Sequence, residues 1–140
     1  MLAHVIMAQD NKIIFVCLHG AAKSVIAASY FNQLAKERNL DYTAECRGIE
    51  PDAAVSESVR DGLTRDRMFD PAVKPQKLLA SDTVGVERII LFTSLPPEII
   101  NTSIKTENWS QIENVDADYL KRRDAIIKKI NELLDTLEKK

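Results

Sequence analysis

A cysteine followed by a Lys-Ser pair is the feature of this sequence most suited to chemistry. Cys17 comes directly after the apolar run of residues 13–16, and Lys23-Ser24 opens a run with helical periodicity. The backbone N–H groups of a strand-to-helix turn and of the first helical turn have no partner within the helix, so they can bind an anion. The same positive field favours the thiolate form of a cysteine that faces it. The spacing therefore predicts a thiolate nucleophile at the base of an oxyanion-binding loop.

Each of these residues also has a purely structural interpretation. Cys17 could be a buried cysteine at a strand end, and Lys23 a solvated lysine at a helix start. His19 could polarise the cysteine, or it could pack on the loop or face solvent. Cys46 could be a small packed residue or a thiol that resolves Cys17. A Walker A loop is excluded, because it needs glycines at the positions of Cys17 and Ala22.

Strands and helices must alternate around this loop to position it. Apolar and β-branched runs predict strands at residues 13–16, 42–46, 88–92 and 101–107. Helical periodicity and capping residues predict helices at residues 24–38, 52–62, 75–81 and 116–139. In the last helix, Leu120, Ile127 and Leu134 share a seven-residue spacing, and with Ile130 and Leu137 they predict the buried face. Alternating strands and helices indicate an α/β fold with a parallel sheet, whose ligand lies beyond the carboxyl ends of the strands.

Length and composition limit the classes of function. A chain of 140 residues with 45% hydrophobic and 29% charged residues is expected to form one domain, residues 12–140, after an N-terminal lead, residues 1–11. The net charge of −2 argues against a nucleic-acid partner. Asp10 interrupts the N-terminal apolar run, so neither a membrane segment nor a signal segment is expected.

The two cysteines do not form a disulfide framework, which fits a reducing compartment, and the cytoplasm is the expected location. Cys17 and His19 would supply only two metal ligands, so no metal is expected. No cofactor is expected either.

The Cys17-x5-Lys23-Ser24 pattern resembles the phosphate loop of the low-molecular-weight protein tyrosine phosphatases, which the thioredoxin-type arsenate reductases share. The family pattern is Cys-x5-Arg-Ser after a strand that ends in Val. Chain length, element order, a glycine after the second strand and Trp109 ahead of an aspartate-bearing turn are also similar. The resemblance implies a three-layer α/β fold, with a four-stranded parallel sheet and helices on both faces.

The resemblance also implies roles for particular residues. Cys17 would attack phosphorus and form a thiophosphate intermediate, and Ser24 would hydrogen-bond its thiolate. The general acid would come from the turn before the last helix, where Asp116 is the candidate and Asp118 the alternative, although either could instead cap that helix. The oxyanion would be held by a loop of six residues: Leu18, His19, Gly20, Ala21, Ala22 and Lys23.

Two departures from the family pattern bear on rate. Lys23 replaces an arginine, and a lysine offers a point charge instead of a planar fork that binds two oxygens. The loss of a charged hydrogen bond costs roughly 1.5–3 kcal/mol, which is about ten- to a hundredfold in rate. The family's Asp-Pro is missing from residues 112–119, and the loss of a general acid costs on the order of 10²–10⁴ in rate.

Three functions follow as hypotheses. The first is hydrolysis of phosphotyrosine or aryl phosphates. The second is arsenate reduction with a small-thiol partner, because the further cysteine pair of the thioredoxin-coupled members is absent. The third is a weakened phosphatase that binds phosphate or a phosphoprotein without turnover. In each case the partner is an oxyanion of the phosphate, arsenate or phosphotyrosine type.

Overall fold

A parallel four-stranded sheet forms the centre of the structure, a computed structural model that describes residues 11–99, 104–113 and 118–139. Its strands lie in the order β2-β1-β3-β4, and each neighbouring pair is parallel. The strands are β1 (Lys12–Cys17), β2 (Thr43–Gly48), β3 (Arg88–Leu91) and β4 (Thr106–Asn108). The predicted α/β fold with a parallel sheet is confirmed. The fourth strand begins later than predicted, and residues 100–103 of that region lie outside the described residues.

Helices and loops form a layer on each face of this sheet. The α-helices are α1 (Lys23–Glu37), α2 (Glu57–Arg65) and α3 (Tyr119–Glu138), and their buried residues share one apolar cluster with Phe15 and Ile90. The opposite face, which carries Ile14 and Ile89, packs against Leu78 and its neighbours beside a short 3-10 helix, Ala80–Thr83. The three-layer arrangement is therefore confirmed, with a thinner layer on the second face.

Strand β1 is central because its side chains are buried on both faces. Each residue from Ile13 to Val16 has at most 1% of its surface exposed, as expected for a β-branched run inside a parallel sheet. Phe15 packs against Trp109, whose ring centroid lies 5.6 Å away and which is itself fully buried. The end of this strand is therefore fixed on both sides before the chain reaches Cys17.

Two predicted helices are displaced by backbone pairing. Helix α2 begins at Glu57 after the N-cap Ser56, and not at Asp52, because the stretch before it hydrogen-bonds to the turn after β1. The predicted helix at 75–81 is a 3-10 helix further along, because Gly48 pairs with the backbone of the segment that contains Lys77. In both cases long-range backbone hydrogen bonds, and not local periodicity, decide where the helix begins.

The predicted buried face of the last helix was partly wrong. Leu120 is 53% exposed, whereas Tyr119 beside it is buried against Gly62 of α2. The buried residues of the helix are Tyr119, Ile126, Ile130, Leu133, Leu134 and Leu137. The contact between Tyr119 and Gly62 sets the rotation of the helix about its axis. As a result Ile130, Leu134 and Leu137 are buried as predicted, and Leu120 is not.

The free edge of β2 is closed by local partners. The side chain of Asn32 bonds both backbone groups of Ala44, accepting at 2.7 Å and donating at 3.1 Å. Gly48 donates to Gln76 at 2.8 Å and accepts from Leu78 at 2.9 Å. Such coverage keeps an edge strand from pairing with another chain. Among the described residues, no helix is long and apolar enough to cross a membrane.

Asp66, at the end of α2, joins the three helices. Its carboxylate accepts hydrogen bonds from Tyr30 at 2.6 Å and Tyr119 at 2.9 Å, and it pairs with Arg123 at 3.0 Å. Burial alone would raise the pKa of Asp66, but these three donors outweigh it and hold the pKa below its ordinary value. A pKa that folding lowers contributes stability above the unfolded value, and that stability is lost as the pH falls through the folded value.

We expect Asp66→Asn to lower the free energy of unfolding by about 1.5–3 kcal/mol at neutral pH, because the charged hydrogen bonds are lost. The difference from wild type should shrink below about pH 4, where an unfolded aspartate becomes protonated. Urea unfolding at several pH values measures both effects. Asp61→Asn, which changes a half-exposed carboxylate on the same helix, is the control and should change stability by less than about 0.5 kcal/mol. A pH-independent difference would contradict the assignment.

Candidate active site

The turn between β1 and α1 is held from outside by backbone hydrogen bonds. Four of its carbonyl groups accept bonds from N–H groups of residues 49–56, the segment that follows β2. The bonds run from Ile49 to Cys17 (3.2 Å), from Glu50 to Leu18 (2.7 Å), from Asp52 to His19 (3.0 Å) and from Ser56 to Ala21 (2.9 Å). Because these carbonyls are directed towards that segment, the N–H groups of the turn are left free to face a ligand.

The N–H groups of the turn have no protein partner within the described part of the chain. None of the backbone N–H groups of residues 18–24 donates a hydrogen bond there. Helix α1 begins at Lys23, and its N-cap residue, Ala22, supplies no side-chain cap. Unpartnered N–H groups at a helix N-terminus form an anion site, since they combine donors with the positive end of the helix dipole. We call residues 17–24 the cradle.

Cys17 and Ser24 lie together at the base of the cradle. The Cys17 Sγ and Ser24 Oγ atoms are 2.9 Å apart, Cys17 is 5% exposed and Ser24 is fully buried. Ser24 therefore bonds the sulfur and does not cap α1. A hydroxyl at this distance can donate to a thiolate and stabilise its charge. The contact matches the arrangement that the family resemblance implies for the two residues.

Two glycines allow the cradle to meet the segment after β2. Gly20 has a φ of +61°, a conformation that L side chains rarely adopt. A Cβ on Gly48 would lie 2.6 Å from the Gly20 nitrogen and 2.7 Å from the His19 carbonyl carbon. These are backbone atoms, so a side chain at Gly48 would displace the cradle itself.

Lys23 reaches from the cradle to the loop after β4. Its Nζ atom donates to the Ile112 carbonyl at 3.0 Å and lies 5.6 Å from the centroid of the Phe92 ring. Burial lowers the pKa of Lys23, and the charge of Cys17 opposes this shift. The lysine is therefore half-buried between two loops, which excludes the interpretation of a solvated helix-start lysine.

The His19 ring contacts the segment after β2. Its Nδ1 atom lies 3.1 Å from the Glu50 carbonyl and 3.5 Å from the Asp52 carboxylate, and about half of its side chain is exposed. Since a carbonyl can only accept, Nδ1 carries the proton in this contact. The histidine contributes its backbone to the cradle, and its ring packs on the segment after β2.

Cys46 lies on the same face of the sheet as Cys17, although not opposite it. Phe15 pairs with Cys46 in the register, whereas Cys17 pairs with Gly48. Strand spacing and rise then place the two cysteine Cα atoms about 8 Å apart, beyond the roughly 7 Å that a disulfide spans. Burial raises the pKa of the Cys46 thiol. Both findings favour a packed residue over a resolving thiol.

The general acid is the least defined part of the site. The Asp118 carboxylate accepts from the Lys121 N–H at 3.0 Å and so caps α3. Asp116 lies outside the described residues, so its assignment stays a prediction. No group of three metal-ligating side chains is gathered within the described ranges.

Sequence reasoning predicted the N–H groups of the loop but missed the main-chain groups that contact the loop from other segments. The N–H groups of residues 49–56 and the Ile112 carbonyl contact the cradle and Lys23 through main-chain atoms, which no side-chain pattern marks. Gly48 was the one signal available, because a glycine directly after a strand indicates a close backbone approach.

The sequence matches no known family model and no curated protein. Solved structures do match it. YfkJ from Bacillus subtilis has a TM-score of 0.79 at 17% identity, covering 91% of this chain and 94% of that one. A low-molecular-weight protein tyrosine phosphatase from T. tengcongensis has a TM-score of 0.76 at 18% identity, covering 89% and 98%. An arsenate reductase from Archaeoglobus fulgidus has a TM-score of 0.68 at 26% identity, covering 88% and 98%.

The chain therefore has the fold of the low-molecular-weight protein tyrosine phosphatases and arsenate reductases. This confirms the resemblance predicted from Cys17, Lys23 and Ser24. Neighbours with both activities share the fold, so the fold alone does not choose between them.

We expect Gly48→Ala to weaken binding of inorganic phosphate at least tenfold, because the new Cβ forces the cradle backbone to move. Isothermal titration calorimetry measures the affinity. Gly62→Ala is the matched control, since its Cβ would lie 2.4 Å from the Tyr119 ring and not against the cradle. It should lower stability by about 1–3 kcal/mol and spare phosphate affinity. Equal phosphate affinity in Gly48→Ala and wild type would contradict the assignment of the cradle.

Proposed function

We propose that this protein hydrolyses phosphomonoesters through a cysteine thiophosphate intermediate, with phosphotyrosine or aryl phosphates as substrates. The observation that carries the proposal is the row of unpartnered N–H groups around Cys17, whose sulfur contacts the Ser24 hydroxyl. Donors fixed before the substrate arrives stabilise the charge that develops on the phosphoryl oxygens, and they do so without reorganisation. Two free cysteines fit a reducing location such as the cytoplasm.

In the first step, the Cys17 thiolate attacks phosphorus and forms the S–P bond. The bond from phosphorus to the ester oxygen breaks, and that oxygen takes a proton from a general acid, the role proposed for Asp116. Lys23 and the loop N–H groups, from Leu18 through His19, Gly20, Ala21 and Ala22, hold the three non-bridging oxygens.

In the second step, water attacks phosphorus and passes a proton to the same carboxylate, which now acts as a base. The S–P bond breaks and its electron pair returns to sulfur. The Ser24 hydroxyl stabilises the returning thiolate through the 2.9 Å contact. Phosphate then leaves the cradle.

Two structural neighbours support an oxyanion in this site. One is an arsenate reductase whose structure is in a phosphate-binding state, at a TM-score of 0.72 and 18% identity. The other is the YwlE arginine phosphatase with a phosphorylated serine in its active site, at a TM-score of 0.74 and 16% identity. Phosphate chemistry on this fold is the common element.

Arsenate reduction is the second candidate, because arsenate reductases are also among the neighbours. The cysteine would attack arsenic, and two thiols would be oxidised to a disulfide while arsenic(V) becomes arsenic(III). Cys46 does not lie opposite Cys17 in the register, so a small external thiol would supply the second sulfur of that disulfide. Thiol consumption that depends on arsenate and on Cys17, without aryl phosphate turnover, would favour this function. Phosphate affinity without either activity would indicate a binding protein.

We expect wild-type protein to hydrolyse an aryl phosphate and Cys17→Ser to lose all measurable turnover, because the nucleophile is removed. A steady-state assay across acidic to neutral pH measures this. Cys46→Ser is the control and should retain turnover within about twofold, since Cys46 pairs with Phe15 in the register and lies outside the cradle. Absence of turnover in wild type at every pH would refute the proposal.

We expect Lys23→Arg to raise kcat/KM by roughly ten- to a hundredfold, because a guanidinium can bind two phosphoryl oxygens at once. The same assay measures it. Lys23→Met should lower kcat/KM. A lower rate for the arginine variant would mean that residue 23 does not contact the phosphoryl group.

A further inference from the structure

A single ammonium group connects the cradle with a second loop. Lys23 is the first residue of α1, and its Nζ atom donates a hydrogen bond to the Ile112 carbonyl. We propose that this contact positions the ammonium for the oxyanion, so that binding at the cradle is energetically coupled to residues 109–113, which we call the Trp109 loop. The inference rests on the proposed oxyanion site and goes beyond it, because it makes a backbone carbonyl outside the cradle part of the binding mechanism.

The Trp109 loop is rigid enough to serve as an anchor. Trp109 is fully buried, and its backbone N–H donates to the Leu91 carbonyl at 2.7 Å. The Ile112 N–H closes a turn onto the Trp109 carbonyl at 3.1 Å, and the Ile112 side chain is 7% exposed. The indole Nε1 donates to Glu107 at 2.8 Å. The Ile112 carbonyl is therefore held in place by the core of the protein.

A lysine needs such an anchor more than an arginine does. The guanidinium group is a planar fork, whereas an ammonium is a point charge on a flexible stem with three hydrogens. One of those hydrogens is taken by the Ile112 carbonyl, which leaves two for an oxyanion. The adjacent residue, Ser24, is fixed by its bond to Cys17. Residue 23 is thus restrained at both ends, in the backbone and at the tip of its side chain.

Coupling between two sites is reciprocal. Phosphate in the cradle should alter the environment of the Trp109 loop. In turn, a change in the loop should alter the affinity of the cradle for phosphate. Both effects should require a hydrogen-bond donor at Lys23.

The chain contains one tryptophan, so a 15N spectrum of the protein contains a single indole signal, that of Trp109. We expect titration of wild-type protein with inorganic phosphate to shift this signal, with the dissociation constant that calorimetry gives. Lys23→Met should bind phosphate about ten- to a hundredfold more weakly, and its indole signal should not move at saturation. Lys23→Arg, which keeps the donors, should restore the response. An equal shift in Lys23→Met, or no shift in saturated wild type, overturns the proposal.

A double-mutant cycle tests the reverse direction. Ile112→Ala loosens the loop and should weaken phosphate binding by about three- to tenfold when residue 23 is lysine, and by less than about 1.5-fold in the Lys23→Met background. Ile126→Ala is the matched control, because it removes the same atoms from a buried site on α3, outside the Trp109 loop. Equal losses in both backgrounds overturn the proposal. If Ile112→Ala does not fold, the indole titration decides alone.

These measurements separate the coupling from the proposed catalysis. Phosphate binding with the expected indole shift, but without aryl phosphate turnover, upholds the coupling and refutes the phosphatase. Aryl phosphate turnover in a protein whose indole signal does not shift at saturating phosphate upholds the phosphatase and refutes the coupling. Wild-type protein that does not bind phosphate at all overturns the coupling together with the cradle.

Discussion

The structure depends on the row of backbone hydrogen bonds between residues 49–56 and the carbonyls of the cradle. Because these four bonds turn the carbonyl groups outward, the N–H groups of the same peptides are free for an oxyanion. The bonds require the two chain segments to approach closely, and a pair of glycines, Gly20 and Gly48, permits that approach. The cradle is thus built before any ligand arrives, which is the condition for strong electrostatic stabilisation by fixed donors.

The sheet delivers these segments to one place. Strands β1 and β2 are adjacent and parallel, so their carboxyl ends meet at the same edge, with Cys17 beside Gly48 in the register. The cysteine therefore enters the cradle from the end of a fully buried strand, and its sulfur is fixed by Ser24. Helices on one face, joined by Asp66, hold α1 in the orientation that aims its N-terminus at the same point.

Lysine at residue 23 changes how this site can work. An arginine would bind the oxyanion through its own fork, whereas Lys23 lies between the cradle and the Ile112 carbonyl in a half-buried position that lowers its pKa. The residue therefore belongs to two loops at once. Under the proposed function, the ammonium would offer the oxyanion a point charge where an arginine would offer a planar fork.

Apolar periodicity and loop spacing are local properties of the chain, and they predicted the parallel α/β fold and an oxyanion-binding loop around Cys17. The contact of Cys17 with Ser24 was implied by the family resemblance. The sequence predicted that α2 and the short helix after residue 75 begin earlier in the chain than they do. The residues before each helix instead form long-range backbone hydrogen bonds. The sequence also misassigned Leu120, because the rotation of α3 is set by Tyr119 against Gly62. Only the long-range contacts showed that Lys23 reaches the Ile112 carbonyl and that Cys17 lies beside Gly48, and not beside Cys46, in the register. Both facts join segments far apart in the chain, and local patterns carry no information about such contacts.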